Sequence, residues 1–393
     1  MLTAWRIRTY PRAVALAVGL GWLVVLALSW GGTTPQGAPL GGDWVVFHAA
    51  GAQVLEGTPE RLLDPAAMQA AQAAALGRTT LPGYHAWVYP PYLAVVLAPF
   101  AALPFAWSYV AYTVAMVAAL GVTGVALART LPRLHAGTIA AAAVGFYPLT
   151  RAVVGGQNTP VTLALAAVAL ALLARGRDGA AGVALGLMAF KPHFGLPVLA
   201  VVALTGRWRV LPTAALVGAG WYLLGAALLG PRWPAAWLHA VRAFRSQADV
   251  NGAQLVSLST VAEHVGLGTA AGAVAAGLVG LVAIAAAYRA RRRPELVLAV
   301  VLAALPLAAP HVQYYDLGLL VLPAAVVAAA GRWHGAIVGV WVASWALAPL
   351  QGALPVHPLL AVALVAAAVT LHVAWDAART RDGVSTPRSP SRP

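Results

Sequence analysis

The sequence predicts an all-α polytopic membrane protein, and three observations support that prediction. Hydrophobic residues fill 61% of the 393 positions, charged residues only 9%, and the mean hydropathy is +0.79. An ordinary soluble domain carries about 25% charged residues. Apolar runs recur along nearly the whole chain and are separated by short basic clusters, which is typical of a protein with many membrane spans. We therefore expect one integral membrane domain over residues 1–378.

The net charge of +14 comes from arginines that lie between the apolar runs. Their clusters fall at residues 6–12, 129–133, 175–177, 207–209, 289–293, 332 and 379–381. Basic loops of this kind stay in the cytoplasm, so the clusters fix the topology and place both termini inside. The positive charge is thereby explained by the topology, and we expect no nucleic-acid partner. The chain has no cysteine, which excludes disulfides and thiolate metal sites.

This topology gives a first span at residues 13–31, interpreted as an uncleaved anchor, and a first outer loop at 32–88 with short interfacial helices. The proline-containing stretch 89–103 is expected to be interfacial or re-entrant. The tail 379–393, rich in Pro, Ser and Arg, is expected to be a disordered cytoplasmic segment. About 12 crossings result, with further spans at 105–128, 137–154, 158–174, 179–191, 193–206, 210–230, 269–288, 295–310, 314–330, 335–350 and 357–377.

Two interruptions of the apolar pattern indicate a cavity inside the bundle. "FKPHFG" (190–195) separates two apolar pieces of about 14 residues, whereas a full crossing takes ~20. "APHVQYYD" (309–316) interrupts a later pair of spans. Irregular backbone at membrane depth is tolerated only where protein or a water-filled cavity surrounds it. We therefore expect a polar cavity that opens to the outside.

Asp43 stands out because acids are scarce, with 11 Asp and Glu in the whole chain. It lies in "GGDWVVFHAAG" (41–51), shortly after the first span. The helix predicted to follow would place Trp44, Phe47 and Leu55 on one apolar face along the membrane surface. Asp43 could simply cap that helix. A capping aspartate at a bilayer surface would also be a fixed, ionised base, so both roles are compatible.

Lys191 is the only lysine, and it falls inside the first interruption. A lysine within a membrane span is unfavourable and usually functional, and a bound phosphate would supply its missing counter-charge. The simpler alternative is a lysine that snorkels to the interface. His193 follows two residues later and is a weaker candidate.

Further polar candidates lie near the outer ends of other spans. Arg151 precedes "GGQNTP" (155–160), whose Gln157 and Asn158 offer amide donors and acceptors for sugar hydroxyls or phosphate oxygens. Helix capping explains the two amides equally well. In the second interruption His311 could donate to a phosphate or carry a proton, while Tyr315 could bind substrate or anchor at the interface.

An acid, an amide pair, cations and histidines at the outer face of a membrane bundle suit transfer from a phosphate-activated lipid carrier. The sequence contains no Walker A loop, nucleotide-binding fold pattern or paired His-Glu metal motif. We therefore expect no cytosolic nucleotide substrate, no metal and no cofactor.

In their order and spacing these motifs resemble glycosyltransferase family 87, over most of residues 10–330. The resemblance implies a GT-C-like bundle in which Asp43, in the first outer loop, is the catalytic base and His311 belongs to the active site. Lys191 and Gln157 match recurrent family positions. The matching stretches are "GGDWVVFHAAGAQVLEGTP", "YPPYLAVVLAPFAALPF", "GGQNTP", "RGRDGAAGVALGLMAFKPHFGLPVL" and "PHVQYYDLGLLVLP".

The resemblance also implies a function. An inverting enzyme would move a hexose or pentose, mannose or arabinofuranose first, from a polyprenyl-phosphate donor to a lipid-linked or cell-envelope glycan at the outer face of the plasma membrane. Lys191, Arg151 or His311 would stabilise the departing phosphate. His48 and Glu60–Arg61 depart from the commoner family forms, which bears on the substrate more than on the fold. The alternatives are a transporter or flippase of a lipid-linked precursor, and a non-catalytic assembly protein.

Overall fold

The structure, a computed structural model, describes residues 4–81, 85–247 and 254–382. Over these residues the chain is helical and forms no strand beyond two isolated bridges, Thr33–Pro39 and Leu255–Gln313. The predicted all-α class is confirmed. The last helix runs to Asp382, and the rest of the tail predicted at 379–393 lies outside the described residues.

Helices make up most of the described residues, and most of the connections between them are short. Four 3-10 segments accompany them at Pro59–Leu63, Met188–Phe190, Tyr314–Leu320 and Ala348–Leu350. The α-helices are α1 (Ala4–Leu28), α2 (Trp44–Leu55), α3 (Pro65–Ala75), α4 (Tyr92–Ala101), α5 (Phe105–Thr130), α6 (Ala136–Val144), α7 (Tyr147–Val154), α8 (Thr159–Leu173), α9 (Asp178–Leu187), α10 (Pro192–Leu204), α11 (Val210–Leu229), α12 (Trp233–Gln247), α13 (Leu258–His264), α14 (Gly268–Arg289), α15 (Pro294–Ala308), α16 (Val321–Ala329), α17 (His334–Leu347) and α18 (Leu360–Asp382).

Among the described residues, five helices are long and apolar enough to cross a membrane: α1, α5, α11, α14 and α18. The pair α6–α7, bent by 72°, raises the number to six if it forms one span. The other predicted crossings are shorter, such as α8 and α15 with 15 residues each. At 1.5 Å per residue these two cover about 22 Å of a hydrocarbon core of ~30 Å. A multi-pass protein is confirmed, but the count of about 12 crossings is not.

Both predicted interruptions are present. α9 ends at Leu187, and a 3-10 turn leads to Lys191 before α10 begins at Pro192. A proline is tolerated at the first position of a helix because the amide that it lacks would have no partner there. α15 ends at Ala308, and the segment up to Gln313 is irregular before the 3-10 turn Tyr314–Leu320.

The first outer loop is helical as expected, but the prediction that the apolar face of α2 meets the membrane is wrong. Trp44 and Phe47 are fully buried, whereas Leu55 is 54% exposed. The Trp44 ring stacks on Tyr112 of α5 with ring centroids 4.1 Å apart, and Phe100 of α4 meets it edge-on at 6.0 Å. Because α4 and α5 cover the apolar face of α2, this helix is part of the protein core. The backbone at the start of α2 is therefore held rigidly.

His357 is a buried histidine just before α18. Its Nδ1 accepts a hydrogen bond from the backbone amide of Leu359 at 3.1 Å, and its ring stacks on Tyr314 with centroids 4.9 Å apart. Burial lowers the pKa of His357 to about 4. The folded protein therefore keeps this imidazole neutral.

We expect this histidine to make the protein less stable in acid. In the unfolded chain an imidazole has a pKa of ~6.5, so the unfolded state takes up the proton first as the pH falls. The loss begins near pH 6.5, levels off near 4, and amounts to roughly 2 kcal/mol at pH 5. His357→Asn keeps an acceptor but does not titrate, so its melting temperature in detergent should fall less between pH 7.5 and pH 5. An unchanged fall would contradict the assignment.

Candidate active site

Two glycine-containing turns bring Asp43 and Gln157 together. The backbone amide of Asp43 donates to the carbonyl oxygen of Gly155 at 3.1 Å. The next residue, Gly156, has a φ of +69°, and a Cβ built there would lie 2.6 Å from the Cβ of Trp44. Only glycine combines that backbone conformation with such a close approach. The contact between the turns therefore fixes the distance between the two side chains.

Replacing Gly156 by alanine should damage both folding and activity. Left-handed backbone costs an L-residue about 1–2 kcal/mol, and the clash with Trp44 should add about 1–3 kcal/mol. Gly176 is a matched control, because its φ is also +69° but a Cβ there meets nothing within 4 Å. Folded yield in detergent should fall clearly further for Gly156→Ala than for Gly176→Ala. Equal losses would show that the close approach is unimportant.

Both oxygens of the Asp43 carboxylate are held by side chains. Oδ2 accepts from Nε2 of Gln157 at 2.6 Å, and Oδ1 lies 3.1 Å from Nδ1 of His85. Asp43 precedes α2 but makes no side-chain capping bond, whereas Asp64 caps α3 through the amides of Ala66 and Ala67. The capping explanation for the Asp43 carboxylate is therefore wrong. With 34% of its side chain exposed, Asp43 stays accessible to a ligand.

The two amide residues continue the network inward. Oε1 of Gln157 accepts from the Tyr89 hydroxyl at 3.3 Å, and the side chain of Asn158 hydrogen-bonds to the same phenol. Burial, reinforced by the charge of Asp316, raises the pKa of Tyr89 well above its usual value, so the phenol keeps its proton. Asn158 stands at the start of α8 without a side-chain capping bond. Capping therefore does not account for either amide.

Lys191 forms a buried ion pair. Its Nζ lies 2.8 Å from Oδ1 of Asp316, and the two side chains are only 2% and 5% exposed. The hydroxyl of Thr159 donates to the same oxygen at 2.6 Å. Lys191 therefore has its counter-charge in Asp316 of the second interruption, and a phosphate is not needed to balance it. The burial of Lys191 also excludes snorkelling.

The residues around Asp43 and Gln157 and the residues around Lys191 and Asp316 are neighbours. Thr159, which bonds Asp316, follows Gln157 by two residues on the chain. The Tyr315 phenol lies within electrostatic range of both Asp43 and Asp316, and its ring centroid is 6.0 Å from Nζ of Lys191. The structure therefore joins Asp43, Gln157, Asn158, Lys191 and Tyr315 in one polar region.

Three other predicted residues lie on segments that adjoin this region along the chain. Arg151 is exposed, donates from Nε to the Tyr314 hydroxyl at 3.2 Å and is within electrostatic range of Asp43. His311 is half-buried in the second interruption, where Val312 accepts from the amide of Val256 at 2.9 Å. His193 is half-buried at the start of α10 with its ring 4.3 Å from Phe194. Arg151 is thus linked to the polar region through Tyr314 and Asp43, and the roles of all three residues stay predictions.

The sequence does not single out His85 or Tyr89, and Asp316 stands out there only as the last residue of "APHVQYYD". The stretch "HAWVYPPY" (85–92) shows polar and aromatic residues just before α4, which is the only local signal for His85 and Tyr89. Nothing in that stretch indicates contact with Asp43 or Gln157. These partners depend on the packing of distant segments.

Comparison with known families decides the identity. A model of glycosyltransferase family 87 matches residues 87–310, which is more than half of the chain. The chain belongs to glycosyltransferase family 87. The protein is therefore a membrane glycosyltransferase. No curated protein and no solved structure matches it. The matched range of the family-87 chain includes Gln157 and Lys191 but not Asp43 or His311.

A cavity of about 280 Å³ in this family-87 glycosyltransferase lies away from the polar region. Arg133, Arg293 and Glu295 line it, at the end of the bundle where α5 stops and α15 begins. The polar region lies at the other end, near the C-terminus of α15 and the N-terminus of α8. Within the described part of the chain no group of three or more His, Asp or Glu side chains is placed to hold a metal ion.

Proposed function

We propose that Asp43 is the general base of sugar transfer from a polyprenyl-phosphate donor to a hydroxyl of a lipid-linked or cell-envelope glycan. The observation that carries the proposal is the geometry of this carboxylate. Its two oxygens are fixed by His85 and Gln157, and it stays accessible beside a buried polar cluster. A base held in this way needs little reorganisation before it takes a proton.

The proposed reaction balances with these groups alone. Asp43 takes the proton of the acceptor hydroxyl as its oxygen bonds to the anomeric carbon. The bond from that carbon to the phosphate oxygen breaks on the opposite face, its electron pair leaves with polyprenyl phosphate, and the centre inverts. Charge gathers on the phosphate as the bond breaks, and Arg151 and His311 are proposed to stabilise it. The donor phosphate already activates the sugar, so the proposal includes no cofactor.

The remaining predicted binding residues take supporting roles. Gln157 acts through its hydrogen bond to Asp43. Asn158, Lys191 and Tyr315 form the inner wall of the substrate site, and His193 at the start of α10 is assigned to its edge. The complex of enzyme and donor would also bind the glycan acceptor, and membrane lipids would surround the polyprenyl chain.

The direction of the helices supports an extracytoplasmic site. α8 runs from the polar region to a basic end at Arg175 and Arg177, and α15 begins beside Arg293 and ends near the second interruption. Basic loops remain in the cytoplasm, so the polar region would face the outside of the plasma membrane. A lipid-linked donor reaches that side, whereas nucleotide sugars are cytosolic. Mannose and arabinofuranose are the sugars that we propose first.

Transfer can be tested with the purified protein in proteoliposomes. Radiolabelled polyprenyl-phosphate mannose or arabinofuranose would be supplied with membranes of a deletion strain as acceptor, and GDP-mannose would serve as the comparison donor. Label should enter glycan from a lipid-linked donor and not from the nucleotide sugar. Label that crosses the bilayer without forming a new glycosidic bond would favour a flippase. Broken helices and buried polar groups are also found in transporters, so these features alone do not separate the two classes.

A further inference from the structure

The direction of each hydrogen bond in the amide network is fixed by the Asp43 carboxylate. A carboxylate only accepts, so Gln157 must turn its Nε2 toward Asp43. Its Oε1 is then the atom that faces Tyr89, which donates its hydroxyl proton there. The phenol oxygen is left to accept, and the amide group of Asn158 is the donor that meets it. The orientation of the Asn158 amide follows from this sequence of bonds.

This orientation leaves the carbonyl oxygen of Asn158 without a role inside the described part of the protein. Oδ1 is buried and has no hydrogen-bond partner among the described residues, and the side chain as a whole is only 5% exposed. A buried acceptor without a donor costs about 1–3 kcal/mol, and native proteins leave few such atoms. A second buried acceptor in the same condition, Oε1 of Gln313, lies on the segment that leads to Asp316.

The chemistry of this atom limits what can bind to it. A carbonyl oxygen accepts hydrogen bonds and repels the oxygens of a phosphate, so its ligand must bring a donor. Lys191 does not reverse this preference, because its charge is already matched by Asp316. Hydroxyl groups are the donors that a sugar offers. The inner wall of the site is therefore suited to sugar hydroxyls, while the exposed guanidinium of Arg151 remains for the phosphate.

We propose that Oδ1 of Asn158 accepts a hydrogen bond from one sugar hydroxyl of the substrate, and that Asn158 thereby determines specificity. This inference rests on the proposed function. A site that bonds a hydroxyl rejects the analogue that lacks it, because its buried acceptor is left unsatisfied.

The experiment compares substrates and variants together. Donors and acceptors that each lack one hydroxyl would be assayed with the wild type, Asn158→Ala and Asn158→Asp. One deoxy compound should lower kcat/KM of the wild type by about 10- to 100-fold, as expected from the loss of one buried hydrogen bond. The alanine variant should use the full and the deoxy compound equally. Asn158→Asp keeps the acceptor but loses the amide donor to Tyr89, so it should keep the preference for the full compound at a lower kcat/KM. If a deoxy donor shows the loss of kcat/KM, the bonded hydroxyl belongs to the donor sugar. If a deoxy acceptor shows it, the hydroxyl belongs to the acceptor sugar.

Two controls separate this inference from general damage and from the proposed function. Thr162 lies buried on the next turn of α8, and Thr162→Val should keep wild-type discrimination. Binding would also be measured without turnover, as thermal stabilisation of Asp43→Asn by full and deoxy donors and acceptors. A hydroxyl preference that depends on Asn158 in this variant would support the inference even if transfer were not observed. Equal discrimination by the wild type and Asn158→Ala in both assays would overturn it.

Discussion

Asp43→Asn is expected to lower the turnover of sugar transfer by about 10²- to 10⁴-fold, the usual contribution of a general base. Asparagine has nearly the same shape, and its Oδ1 can still accept from Nε2 of Gln157, so the turn that carries it should remain folded. What is lost is the ability to take the acceptor proton. The change should appear in kcat more than in KM, because the base acts in the transition state.

Asp64→Asn provides a matched control in the same outer loop. Asp64 is exposed and caps α3, so its replacement should reduce stability by about 1 kcal/mol or less and leave turnover near the wild-type value. Initial rates with a lipid-linked donor and melting temperatures in detergent would be measured for both variants. If Asp43→Asn kept more than a tenth of the wild-type turnover, Asp43 would not be the base.

Breaking the ion pair between Lys191 and Asp316 is expected to have the largest effect on stability. Lys191→Met would leave a carboxylate, and Asp316→Asn an ammonium, in a site that water does not reach. Removing one partner of a buried pair typically destabilises a protein by about 3–5 kcal/mol. The double variant Lys191→Met/Asp316→Asn carries neither charge, so it should be more stable than either single variant.

The pair between Arg207 and Asp178 is the appropriate comparison. It is of similar length, 2.9 Å, but its side chains are 23% and 17% exposed, so Arg207→Gln should cost about 1 kcal/mol or less. Folded yield and melting temperature in one detergent would rank the variants. Single variants of the buried pair that are as stable as Arg207→Gln would show that the charges are not matched within the protein.

What the sequence could predict depended on local patterns. Hydropathy gave the all-α membrane class, and Pro192 and Pro310 marked the two interruptions. The scarcity of acids singled out Asp43, and the sole lysine marked Lys191. Each of these signals is contained in a short stretch of chain, so no knowledge of the packing was required.

What the sequence could not predict depended on contacts between distant segments. Asp316 is 125 residues from Lys191, and His85 is 42 residues from Asp43. The burial of α2 depends on α4 and α5, because its apolar residues suit a protein core as well as a membrane surface. Several apolar runs that looked like crossings are short helices, since hydropathy reports an apolar environment and not a path through the bilayer.

The separation of Lys191 from Asp316 along the chain also affects how the protein is made. Synthesis proceeds at ~5–20 residues per second, so the ribosome needs roughly 6–25 s to reach the aspartate after the lysine. During that interval the nascent polypeptide holds an ammonium group without its partner at the membrane. A product truncated before residue 316 keeps that group permanently, and it should be recognised and degraded by membrane proteases.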